Sequence, residues 1–144
     1  ELIEAMENMQ SHSTSNPTSI AQYAAEAALN GDQSCIDPMV KAFKERGTFV
    51  ANALNAIPGV KCLQPSGAFY VFPDCRQAIQ RMAAAGRLKA PTDIALCDYL
   101  MEQEQAVAAV PGSAFGMEGY LRISFATSME NLKKATERMA KAMG

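Results

Sequence analysis

The sequence has 144 residues, 49% hydrophobic and 19% charged, with 13 Lys+Arg against 15 Asp+Glu for a formal net charge of −2. That is enough chain for one domain with a real core. A balance so near neutrality offers no electrostatic footprint for nucleic acid or an anionic membrane surface, and no apolar run nears the ~18 residues of a membrane span. The chain opens at Glu1 without an initiator Met or a signal segment, so a piece of a longer, cytoplasmic protein is expected.

In chain order, Leu2, Met6 and Met9 fall at the spacing of one helical face. The polar stretch Ser11–Asn16 follows, and Asn16-Pro17 reads as N-cap plus first helical residue of a second helix. Its Ala-rich face closes at Gly31. Asp37-Pro38 repeats that signature ahead of Val40, Phe43, Gly47, Val50, Leu54 and Ile57, which predict a long core helix stopped by Pro58-Gly59. Val60–Leu63 and Ala68–Phe72 read as a hairpin around Gln64-Pro65-Ser66-Gly67. Asp74 and Thr92 are expected to cap two further helices, the first ending near Gly86 and the second carrying Leu96 and Leu100. Ala106–Val110 and Tyr120–Phe125 are predicted strands, and Thr127-x-x-Glu130 is a capping box for a final helix with Leu132, Ala135, Met139 and Met143. Helices alternating with strands from residue 37 onward make this part an α/β or α+β layer, with a boundary near residues 31–37.

Whole classes of chemistry drop out. Cys35, Cys62, Cys75 and Cys97 include no Cys-x-x-Cys pair, and His12 stands as the single histidine, so neither a metal site nor a Ser/His/Asp arrangement is supported. The cysteines sit in or beside apolar segments and are expected to be free buried thiols. Walker A, Gly-x-Gly-x-x-Gly, His-Glu-x-x-His and Gly-x-Ser-x-Gly sequences are all missing.

Three places can carry chemistry. Arg122 lies on the strand Tyr120–Phe125 opposite Leu121, Ile123 and Phe125; it is either a solvated or structurally paired arginine, or a fork held for a carboxylate. The hydroxyl-rich stretch Ser11–Ser19 precedes a helix start and is either an anion site or a linker ending in a cap. The turns Pro65-Ser66-Gly67-Ala68-Phe69-Tyr70 and Pro111-Gly112-Ser113-Ala114-Phe115-Gly116 each set an aromatic beside glycine, as pocket lining or as strand punctuation.

Four segments, in order and in register, resemble a known family. Ser15-Asn16-Pro17-Thr18-Ser19-Ile20-Ala21-Gln22, Pro65–Tyr70, Val110–Gly116 and Leu121-Arg122-Ile123-Ser124-Phe125-Ala126 are similar to the C-terminal third of class I pyridoxal-phosphate aminotransferases, prokaryotic-type aspartate aminotransferases above all. The resemblance covers essentially the whole chain. It implies the C-terminal part of an aminotransferase of fold type I: residues 1–36 a remnant of the large cofactor domain, and residues 37–144 a connecting helix and small α/β domain. It implies transfer of an amino group from an amino acid, aspartate foremost, to a 2-oxo acid in a homodimer. Arg122 would hold the substrate α-carboxylate, Phe69 would line the substrate, and Ser15 and Asn16 would approach the neighbouring subunit's active site.

The resemblance also implies what this chain lacks. No lysine here sits in the family's Schiff-base motif, so the catalytic residue lies outside the chain and the isolated piece is expected to be inactive. Ser11 stands where animal and enteric aspartate enzymes place an arginine for the side-chain carboxylate. Aminotransferases for alanine, methionine or aromatic amino acids are one alternative. A non-catalytic aminotransferase-like binding or regulatory module is the other.

Overall fold

A computed structural model describes residues 1–102 and 106–144. The described chain divides into two units, Glu1–Pro38 and Met39–Gly144.

The first unit is helical. Helix α1 spans Leu2–Ser13 and α2 spans Ser19–Asn30, and neither buries a residue. The helix α1 therefore runs through Ser11, His12 and Ser13, which the sequence placed in a polar linker. The cap of α2 is Thr18 rather than Asn16: its side chain accepts the Ala21 N–H at 3.3 Å, while the Pro17 carbonyl accepts from Gln22 Nε2 at 2.9 Å. Two residues past the expected start, a hydroxyl satisfies the free N–H groups. Leu2, Met9, Ile20, Tyr23 and Leu29 are all exposed, so both helices carry apolar surface without a core of their own.

The second unit holds the core. Helix α3, Ile36–Asn55, starts one residue before Asp37, which becomes a favourable first-turn acid. Gly47, Val50, Ala51 and Leu54 are its buried face. Gly47, which breaks the apolar spacing in the sequence, is a close-approach point: a Cβ there would lie 2.8 Å from Pro65 Cγ and 3.1 Å from Phe125 Cζ. Strand β1 is Tyr70–Val71, β2 is Val110–Pro111 and β3 is Leu121–Ser124, in the order β1-β3-β2 with both pairings antiparallel. Helices α4 (Arg76–Ala84), α5 (Asp93–Glu102) and α6 (Met129–Met143) pack Ile79, Met82, Leu96, Leu100, Leu132, Met139 and Met143 into the same cluster as Val71, Leu121 and Phe125.

Several expected elements shrink or shift, each for a local reason. The hairpin is reduced to one bridge, Lys61 to Asp74, because the Asn55 side-chain amide takes both backbone groups of Cys62 at 2.8 Å. The strand expected over Ala106–Val110 survives at Val110–Pro111, since the Val107 N–H bonds back to the Leu100 carbonyl at 3.1 Å. Cys75 occupies the cap position of α4, although Asp74 still accepts the Arg76 N–H at 3.0 Å. Ser128, not Thr127, caps α6 by accepting the Asn131 N–H at 3.2 Å, and Glu130 pairs with Lys134 at 2.6 Å instead of reaching back. Thr92 caps α5 as expected, accepting the Ala95 N–H at 3.2 Å.

Cys62, Cys75 and Cys97 are buried free thiols, but Cys35 is exposed, contrary to the expectation for all four. Burial pushes the Cys62 and Cys97 thiols up to about 11 and the Cys75 thiol up to about 12, Cys97 and Cys75 also facing the negative charge of Asp93 and Asp74 respectively. At pH 8 the native 144-residue chain should therefore give one rapid equivalent with a thiol reagent, from Cys35, and three more on unfolding. A second rapid equivalent would contradict this burial.

Candidate carboxylate site around Arg122

The site is built on β3, the central strand. Alternation turns Leu121 and Phe125 into the core at 0% and 2% exposure, which sends Arg122 to the other face. The register sets Arg122 opposite Val110 on β2 and Ser124 opposite Tyr70 on β1. Both neighbouring strands therefore run out into turns beside Arg122, and each turn delivers an aromatic ring.

Arg122 Cζ lies 4.7 Å from the Tyr70 ring centroid and 4.2 Å from that of Phe115. Such contacts are worth about 0.5–2 kcal/mol each, more when desolvated. They engage the π-faces and leave the N–H donors in need of partners. Arg122 Nε is buried with no hydrogen-bond partner, and among the described residues no ion pair involves Arg122. An orphaned buried donor costs about 1–3 kcal/mol, and more when charged. A planar carboxylate is the ligand that satisfies two guanidinium N–H groups at once.

Phe69 stands next to this pair, its ring 4.4 Å from Tyr70 and 6.4 Å from Phe43. Its carbonyl accepts the Phe125 N–H at 2.9 Å, which ties the turn to the end of β3. Ala68 precedes it in the left-handed region at φ 57°, an uncommon conformation for a residue with a Cβ. On the other side Phe72 continues the band, edge-on to Phe115 at 6.3 Å and stacked on Tyr120 at 5.4 Å. The two aromatic turns singled out in the sequence thus meet at Arg122, a convergence that spacing alone did not show.

Ser15 and Asn16 lie in the first unit, exposed between α1 and α2, with Ser15 at φ 55°. The hydroxyls of that stretch serve their own backbone: Ser11 Oγ donates to the Asn8 carbonyl at 2.9 Å and Ser15 Oγ to that of Ser11 at 3.3 Å. With Thr18 capping α2, the stretch is a helix end and a capped linker rather than an assembled anion site.

Asp93 was missed. It is 2% exposed, in the first turn of α5, and its Oδ2 accepts the Ser113 backbone N–H at 2.7 Å. Burial pushes this carboxyl up, but hydrogen bonds from the Ser113 backbone and side chain, its own N–H and Gly119 outweigh it, so it sits below the ordinary carboxylate range. Its place in the sequence, directly behind the Thr92 cap, does not distinguish it from an ordinary first-turn acid. A buried acid held by N–H groups becomes legible only once the loop it holds is folded.

The sequence therefore forms, from a central strand and two turns, an arginine in an aromatic setting whose Nε has no partner among the described residues. The family model described as aminotransferase class I and II matches residues 1–139, and the chain belongs to that family. It is 62% identical over 139 residues to an aspartate/prephenate aminotransferase of Nitrosomonas europaea, covering 96% of this chain and 35% of the relative. The aspartate aminotransferase of Rhizobium meliloti superposes with a TM-score of 0.80 at 43% identity, over 99% of this chain and 35% of that one. An aromatic aminotransferase from Pyrococcus horikoshii superposes at 0.77 and 37% identity, over 96% and 35%. The fold is thus that of a part of these aminotransferases, and the chain spans about a third of the length of the relatives it matches.

Gly112 opens the turn that carries Phe115. A Cβ there would lie 2.7 Å from Tyr120 Cβ and 2.8 Å from its carbonyl oxygen, and would also run into the Met117 carbonyl. Gly112→Ala should cost about 1–3 kcal/mol of stability, read as a lower denaturant midpoint with an unchanged slope. An unchanged midpoint would show that the turn is not so tightly closed.

Proposed function

We propose that the full-length protein carrying this sequence is a pyridoxal-phosphate-dependent aminotransferase. It would move an amino group from an amino acid, aspartate foremost, to a 2-oxo acid. The observation that carries this reading is Arg122, a half-buried guanidinium faced by two aromatic rings, its buried Nε unpartnered. The Nitrosomonas relative is named for aspartate and prephenate, an amino acid and a 2-oxo acid that are both dicarboxylates. The Pyrococcus structure, named as an aromatic aminotransferase, keeps aromatic substrates as the second reading.

When bound, pyridoxal phosphate supplies an electron sink for the carbanion left after loss of the substrate α-proton. The residues of this chain fit the substrate end of such a site rather than the cofactor's anchoring end. Arg122 binds the α-carboxylate through its fork and so fixes the rotation of the substrate about its α-carbon, an entropic contribution. Tyr70 and Phe115 hold the guanidinium in place, and Phe69 lines the same side. In this reading the anchoring lysine, and the group that reads the aspartate side chain, belong to the rest of the full-length protein, since Ser11 is an exposed helix residue bonded to Asn8. The 144-residue chain alone would not transaminate.

Residues 1–36 are assigned to the large cofactor domain and residues 37–144 to the connecting helix and small domain. The uncovered apolar residues of α1 and α2 support this, because they need a partner surface. A homodimer with Ser15 and Asn16 at the neighbouring active site follows from the same assignment, and a cytoplasmic location is part of the same proposal. Among the described residues no helix is long and apolar enough to cross a membrane.

In the full-length enzyme, Arg122→Ala should lower kcat/KM for the amino donor by about 10²–10³-fold, the scale of a lost charge-assisted pair. Arg122→Lys should restore part of it, because a point charge cannot form the fork. Both variants should still yield a borohydride-reducible pyridoxyl adduct. Parental activity in Arg122→Ala would overturn the assignment.

A further inference from the structure

We propose that Asp93 is a positioning residue for Arg122: its buried carboxylate fixes the loop after β2 so that Phe115 lies against the guanidinium. The proposal rests on the carboxylate reading of Arg122 and extends it to a residue that touches neither substrate nor cofactor.

Asp93 is not needed where it stands for the sake of its own helix. Thr92 already caps α5 through the Ala95 N–H, and Asp93 is directed to another element instead. A carboxylate only 2% exposed is costly without compensation, and among the described residues no cation is paired with it. Its compensation comes from the loop. Ser113 donates its backbone N–H at 2.7 Å to Asp93 Oδ2. Asp93 therefore ties the start of the 113–119 segment to helix α5.

Phe115 lies inside that segment. Ser113 and Phe115 share the single 3-10 turn Gly112–Phe115, whose closing Gly116 N–H bonds to the Ser113 carbonyl at 3.1 Å. The Phe115 ring then meets Arg122 at 4.2 Å. The backbone bonds Gly112 N–H to Tyr120 O, 2.8 Å, and Met117 N–H to Gly112 O, 3.0 Å, close the loop on itself, and Cys75 N–H to Gly119 O, 2.9 Å, ties its far end to the cap of α4. Asp93 ties the end that carries Phe115 to α5. Loss of that tie leaves the loop closed yet free to swing Phe115 from the guanidinium, so the arginine loses its orientation and keeps its charge.

The test uses the full-length holoenzyme with steady-state kinetics on the amino donor and thermal melts. Asp93→Ala should raise KM about five- to tenfold with kcat within about twofold, on the scale expected for misplacing a binding group. Asp93→Asn, which keeps one acceptor for the Ser113 N–H, should fall between it and the parent. Phe115→Leu should match Asp93→Ala, and it carries the test with Asp93→Asn if Asp93→Ala does not fold. In an Arg122→Lys background, Asp93→Ala should raise KM by no more than about twofold further, because the two act through one arrangement. A lower Tm with parental KM in the Asp93 variants, or full additivity with Arg122→Lys, would overturn the positioning role while leaving Arg122 as the carboxylate ligand. Parental KM in Arg122→Lys and Arg122→Ala would overturn both readings together.

Discussion

The second unit is organised around a cation that has no counter-charge among the described residues. Arg122 sits on the central strand, its guanidinium set against Tyr70 and Phe115 and its Nε buried and unpaired. A fold tolerates such an arrangement when something outside completes it, since an unsatisfied buried donor is among the more expensive features a fold can carry. Much of the surrounding structure serves this one residue. Strand β1 brings Tyr70 and, beside it, Phe69. The turn after β2 brings Phe115. The core beneath β3, built on Leu121 and Phe125, prevents the strand from turning over.

The supporting shell is of two kinds. Aromatic rings meet in a band from Phe43 through Phe69 and Tyr70 on one side of the guanidinium, and from Phe115 through Phe72 to Tyr120 on the other. These contacts are individually weak and hold by their number. The polar tie is Asp93, which joins helix α5 to the turn carrying Phe115 through one short, charge-assisted bond. The site thus draws on a buried acid at a distance as well as on the rings beside the arginine.

Much of this was legible in the sequence, and what was not has physical causes. The long helix, the cap at Thr92 and the strand bearing Arg122 follow from periodicity and capping chemistry, which are local. The hairpin failed because Asn55, from a helix, takes the backbone groups of Cys62, a long-range bond that no window of sequence reveals. The strand before Pro111 failed for a similar reason, through Val107 and Leu100. Caps at Thr18 and Ser128 in place of Asn16 and Thr127 are choices among adjacent hydroxyls and amides of similar strength. Arg122 itself stood out as a strand arginine, but its aromatic partners and Asp93 are separated from it by 7 to 52 positions and appear only when the strands pair.

The most direct measurement is a crystal structure of the full-length protein with a dicarboxylate such as maleate in the site. The account predicts a carboxylate within about 2.7–3.2 Å of the Arg122 guanidinium, Nε included, with Tyr70 and Phe115 still against it. A dicarboxylate bound elsewhere, with Arg122 paired to a carboxylate of the protein itself, would contradict it.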